Sequence, residues 1–93
     1  MIYLITYNIN ISARDYFPLY NAIKQIGYRY KHPQDSTWFI ATNGNTNIGW
    51  IYNQLMRFLY PGDNIFIAEL KPDNYVEGWL TRDFWDWYKD NIR

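Results

Sequence analysis

Residues 2–7 read Ile-Tyr-Leu-Ile-Thr-Tyr, and both alternating sets, Ile2, Leu4 and Thr6 on one side and Tyr3, Ile5 and Tyr7 on the other, are largely apolar. A strand with two such faces has to be covered on both, which places it in the interior of a sheet. The run ends in Asn8 and Asn10. The carboxyl end of a central strand is a place where α/β folds bring ligands, so both amides are candidate ligand-binding residues.

The chain that follows supplies the partners this strand needs. Ser12 to Asp15 offers helix caps, Pro18 is tolerated in a first turn, and Leu19, Ile23 and Ile26 form one stripe before Gly27, which predicts a helix over residues 16–26. Tyr28 to His32 alternates aromatic and basic residues, Pro33-Gln34-Asp35 predicts a turn, and residues 36–42, with Trp38, Phe39 and Ile40, complete a hairpin. Asn43-Gly44-Asn45 breaks the chain and carries no P-loop lysine. With Asn45 or Thr46 as cap, Ile48, Ile51, Tyr52, Leu55 and Leu59 recur at helical spacing and predict a second helix ending at Pro61-Gly62, with Ile48, Tyr52, Leu55 and Leu59 as its core stripe.

Residues 63–70 then predict a fourth strand, apolar on both sides and so a second candidate for the sheet interior. The order βαββαβ is the split βαβ, or ferredoxin-like, pattern, in which strands one and three are central, strand two lies at an edge and both helices cover one face. The expectation is a single α+β domain over residues 1–93, with residues 71–93 as a docking extension: a short extra strand over residues 75–80, then a helix rich in aromatics capped by Thr81 to Asp83.

Ten Tyr, five Trp and five Phe among 93 residues exceed what one small core encloses. Some rings must therefore lie at a surface or an interface. Tyr3, Tyr7, Phe66, Trp79, Trp85, Trp87 and Tyr88 are the candidates for dimer contact or for docking of the tail. The helix-free sheet face is expected to be covered by a second copy together with that tail, which makes the protein a homodimer.

Formal charge is zero but unevenly spread: five basic and two acidic side chains give residues 1–60 a net +3, and four basic and seven acidic give residues 61–93 a net −3. A neutral molecule does not attract long polyanions by its overall field. Locally, Lys24, Tyr28, Arg29, Tyr30, Lys31, His32 and Trp38 are candidates for ligand binding, with rings to stack on bases and cations to meet phosphates. The alternative is that the tyrosines pack under helix one while the cations protect a sheet edge from aggregation. With no cysteine there is neither a disulfide nor a thiolate metal site. The lone His32 has no identifiable catalytic partner and is expected in a turn. No stretch has the character of a signal peptide or a membrane span, and the expected location is cytoplasmic, or the host cytoplasm for a phage protein.

Tyr3 to Asn10, Asp15-Tyr16, Leu19 to Lys24, Asp35 to Trp38, Phe66 to Glu69 and Gly78-Trp79-Leu80 together resemble the SinR-like short bacterial and phage proteins. Those proteins are related to the small ferredoxin-fold subunit of the CRISPR spacer-acquisition complex. The resemblance covers nearly the whole chain and implies a ferredoxin-like homodimer. In the related nucleases the first strand ends in Tyr-Asp, and the paired aspartates of the dimer are thought to hold a divalent metal. This chain has Tyr7-Asn8 there, and a neutral amide lacks the charge of a carboxylate site for Mg²⁺. The resulting expectation is a non-catalytic binding protein, without a cofactor, recognising a nucleotide, a nucleic acid or a host defence protein, in its sharpest form a phage counter-defence protein. The alternatives are a Mg²⁺-dependent nuclease and a purely structural interaction module.

Overall fold

The computed structural model describes residues 1–9 and 16–92. In chain order the elements are β1 (Ile2–Asn8), α1 (Phe17–Ile26), β2 (Arg29–Gln34), β3 (Thr37–Ala41), α2 (Ile48–Leu55), β4 (Asn64–Leu70) and α3 (Arg82–Asn91), with one 3-10 turn (Met56–Phe58) extending α2. The strands form one antiparallel sheet in the order β2-β3-β1-β4. This small α+β arrangement is compatible with a ferredoxin-like fold.

Strand register sorts the side chains into two faces. Tyr3 lies opposite Ile40, Ile5 opposite Trp38 and Ile67, and Tyr7 opposite Ile65. With Leu19 and Ile23 of α1 and Ile51 and Leu55 of α2, these residues form the main core. Trp38, Tyr3, Ile5, Ile23, Ile40, Ile51 and Leu55 are among the largest fully buried side chains, each worth about 1.5–3 kcal/mol of transfer free energy. Gly27 links α1 to β2 where the sheet passes very close: a Cβ there would lie 2.7 Å from the carbonyl oxygen of Ala41.

On the opposite face Ile2 and Ala41 meet Phe84 and Tyr88 of α3. The Phe39 and Phe84 rings sit edge to face at 4.7 Å. Thr81 caps α3 through its hydroxyl, which accepts from the Phe84 amide at 3.1 Å. The aromatic tail therefore docks on its own sheet. Next to α3, a groove of about 320 Å³ runs between residues 75–80 and the sheet, lined by Leu4, Phe39, Leu70 and Trp85 among others. No helix among the described residues is long and apolar enough to cross a membrane.

Several expectations need correction. Residues 75–80 form no strand, because the turn held by Asn74 N–H to Lys71 O and by Lys71 N–H to Asn74 Oδ1 leads the chain over the outer face rather than along an edge. β4 is an edge strand pairing with β1, not an interior one, and Phe66 is 63% exposed. Tyr3 and Tyr7 are buried in the chain's own core rather than presented to a partner, since their parity on β1 points them at the helices. In α2 the cap is Asn47, whose Oδ1 accepts from the Trp50 amide at 2.9 Å. The helix buries Ile51 and Leu55 and leaves Ile48 and Tyr52 of the expected stripe exposed. The hairpin turn falls at Asp35-Ser36, with Pro33 inside β2, where edge position and an irregular register between Lys31 and Gln34 tolerate its missing N–H. The expected caps Ser12 to Asp15, and Asn10, lie outside the described residues.

Candidate functional site

The carboxyl end of β1, the start of α1 and the β2–β3 turn enclose a cleft of about 320 Å³ lined by Tyr7, Asn8, Ile9, Tyr16, Tyr20, Asp35 and Ser36. Beneath it the indole N–H of Trp38 donates to the Tyr7 phenol oxygen at 3.0 Å. The Asp35 carbonyl oxygen accepts a short hydrogen bond from His32 Nε2, at 2.9 Å, and two long ones from the phenols of Tyr7 and Tyr20, at 3.4 and 3.5 Å. Because a carbonyl only accepts, the His32 ring carries its proton on Nε2 for this contact. These bonds fix the backbone of the turn while leaving side chains unused. The Asn8 amide, the Asp35 carboxylate and the Ser36 hydroxyl make no hydrogen bond or ion pair among the described residues. Burial pushes the Tyr7 phenol well above the usual tyrosine range, against a lowering by the Trp38 hydrogen bond and with a further rise from Tyr20 and Tyr16. The Tyr7 wall is therefore neutral at physiological pH, and Asp35 is the one side chain among the described lining residues that carries a full charge there.

An aromatic track leads from this cleft to the sheet edge. The ring centroids of Tyr16 and Tyr20 are 6.0 Å apart, Tyr20 meets both His32 and Trp38 edge to face at 5.4 Å, and His32 stacks on Trp38 at 3.7 Å. Tyr30 lies 5.5 Å from Trp38 on the same face. At the edge Tyr28 and Tyr30 are 64% and 42% exposed, so they do not pack under α1. Each has a cation beside it: the Arg29 guanidinium lies 5.7 Å from the Tyr28 ring centre and the Lys24 ammonium 5.7 Å from that of Tyr30.

The residues singled out in the sequence thus separate into three places. Lys24, Tyr28, Arg29 and Tyr30 share the exposed β2 edge. His32 belongs to β2 and not to a turn, and it roofs Trp38, which at 1% exposed cannot itself stack on a ligand. Lys31 points to the other face, where its ammonium pairs with Asp83 of α3. Asn8 sits in the cleft. On the outer face Tyr88 is buried against the sheet, Trp85 and Trp87 are half-buried, and Phe66 and Trp79 are exposed. Sequence reasoning missed Tyr16, Tyr20, Asp35 and Ser36 as cleft residues. The spacing of Tyr16 and Tyr20, one helical turn apart and on the same i, i+3, i+4, i+7 face of α1 as Leu19 and Ile23, is the signal that could have found two of them.

Among the described residues no group of three or more His, Cys, Asp or Glu side chains could hold a metal ion. No family model, no curated protein and no solved structure matches this chain.

Proposed function

We propose that this protein is a non-catalytic, homodimeric binding protein of ferredoxin-like topology whose β2 edge recognises a nucleotide or a short single strand. The observation that carries this reading is the pairing at that edge of two exposed tyrosine rings with two cations, Tyr28 with Arg29 and Tyr30 with Lys24. Exposed rings give bases a stacking surface, and adjacent cations meet the phosphates between them. Zero net charge limits the number of phosphate contacts and so favours a small or single-stranded ligand over long duplex DNA. The absence of catalysis rests on Asn8, a neutral amide where the resemblance implies a metal-holding aspartate. The same resemblance, to SinR-like proteins, adds a defence-related setting, with phage counter-defence its sharpest form. The homodimer is supported by the uncovered part of the outer face, where Phe66 and Trp79 are exposed beside the apolar groove.

Fluorescence polarisation of labelled single-stranded oligonucleotides tests the reading. Wild type binds, and a Lys24→Glu, Tyr30→Ala variant with unchanged circular dichroism loses at least about tenfold in affinity, since stacking on one ring is worth ~1–3 kcal/mol. Binding by this variant equal to wild type, or no binding by either, contradicts the nucleotide reading and leaves a protein partner for the edge.

A further inference from the structure

The cleft at the end of β1 has a different chemistry from the β2 edge. Its described lining contains no Lys, Arg or His, and its one full charge is the Asp35 carboxylate. A phosphate set there would face a like charge, whereas an uncharged planar ring edge with hydrogen-bond donors would find acceptors. At about 320 Å³ the cleft lies at the small end of ligand pockets, which span roughly 300–1,000 Å³. Two of its walls, Tyr16 and Tyr20, are aromatic, and ring contacts through His32 and the buried Trp38 connect it to Tyr30 and Lys24. Among the described residues the charges therefore favour one base in the cleft, with the neighbouring bases and phosphates of a strand along the edge rings and cations.

Three unused polar side chains line this cleft together: the Asn8 amide, the Asp35 carboxylate and the Ser36 hydroxyl. We propose that they form a guanine-selective base pocket. Guanine places two adjacent donors, N1–H and the N2 amino group, beside the O6 acceptor. The two donors match the two oxygens of Asp35, and the Asn8 amide or the Ser36 hydroxyl supplies the donor for O6. Adenine instead sets the lone pair of N1 against the carboxylate. Hypoxanthine keeps N1–H but lacks the amino group, so it makes half of the contact. This inference rests on the nucleotide reading above and adds to it the identity of the base and the place where it sits.

Isothermal titration of the full chain with GMP, IMP, AMP and XMP tests it, using wild type, Asp35→Asn and Lys24→Glu. Wild type prefers GMP to AMP by about tenfold to a hundredfold, the discrimination expected of one good bidentate contact, with IMP between them. Asp35→Asn loses the GMP preference and gains binding of XMP, whose O2 acceptor meets the new amide donor; a merely structural role for Asp35 would not produce that gain. Asp35 is exposed and its carboxylate unpartnered, so this variant keeps the wild-type fold, which a thermal melt verifies. Equal binding of GMP and AMP, with Lys24→Glu weakening both, overturns the guanine pocket while leaving the edge reading in place. No binding of any of the four nucleotides and of short strands overturns both.

Discussion

The Nε1–H of Trp38 and the phenol oxygen of Tyr7 are hydrogen-bonded at 3.0 Å across β1 and β3, with the indole buried to 1% exposure. This bond joins the core to the cleft, because Tyr7 also lines the cleft and reaches the Asp35 carbonyl. Replacing Tyr7 by Phe keeps the ring but leaves the indole N–H buried without an acceptor. The expected cost is about 1–3 kcal/mol. In a domain of this size each kcal/mol lowers the melting temperature by roughly 4–8 °C. Differential scanning calorimetry of Tyr7→Phe checks this, and an unchanged melting temperature would remove the bond from the account of the core.

Three phenols couple stability to alkaline pH. Tyr7, Tyr3 and Tyr88 are all raised above the ordinary tyrosine value, first by burial, with Glu69 adding to the rise at Tyr3. The folded state therefore holds these protons more tightly than the unfolded chain does. Their contribution is fully present below about pH 10 and is lost as pH rises through the raised folded values. Urea midpoints followed through the alkaline range should fall above about pH 10. The fall should be shallower in Tyr7→Phe, measured relative to that variant's own neutral-pH midpoint.

The ion pair of Lys31 with Asp83 ties the face of β2 opposite Tyr30 to α3, with side chains 31% and 79% exposed. At that exposure the pair is worth only about 0–1 kcal/mol. Asp83→Ala should accordingly leave the melting temperature nearly unchanged. It also frees the Lys31 ammonium on the opposite face of the same edge strand, which makes the potential around β2 more positive, so affinity for short single strands should rise and the dependence of log K on log salt should steepen by up to roughly one phosphate contact, about 0.7. Polarisation titrations at several salt concentrations check this, and weaker binding by Asp83→Ala would show that α3 acts on the edge in some other way.

Phe66 projects from β4 on the outer face, opposite Thr6 in the register and 63% exposed. If a second copy covers this face, a charge at Phe66 prevents association without disturbing the main core, which lies on the other side of the sheet. Light scattering should give twice the chain mass for wild type and the single-chain mass for Phe66→Glu. A monomeric wild type would contradict the homodimer directly.

Period-2 and period-3.6 patterning made most of the architecture legible. The two apolar parities of Ile2 to Tyr7 identified β1 as central, and the alternation of aromatic and basic residues over Tyr28 to His32 corresponds in β2 to Arg29 and Lys31 on the face opposite Tyr30. Where the reading failed, a local signal was overridden by position. The apolar character of Ile65 to Ala68 suggested an interior strand, yet β4 pairs with β1 alone and lies at an edge; its Ile65 and Ile67 are apolar because that face packs on the main core. In α2 the capping asparagine sits two or one residues later than Asn45 or Thr46, and of the five apolar residues at helical spacing Ile51 and Leu55 are in the core while Ile48 and Tyr52 are exposed. At the cleft only Asn8 was anticipated. Asp35 and Ser36 read as turn residues, and nothing local in the sequence shows that the β2–β3 turn folds next to the end of β1.

The central claim, recognition at the β2 edge, is tested most directly by amide chemical-shift mapping of the ¹⁵N-labelled protein during titration with a short single-stranded oligonucleotide. The account predicts saturable shifts at Lys24 and along Tyr28 to His32, with little change along α3. Shifts confined to Phe66, Trp79 and α3, or no shifts at all, would contradict it.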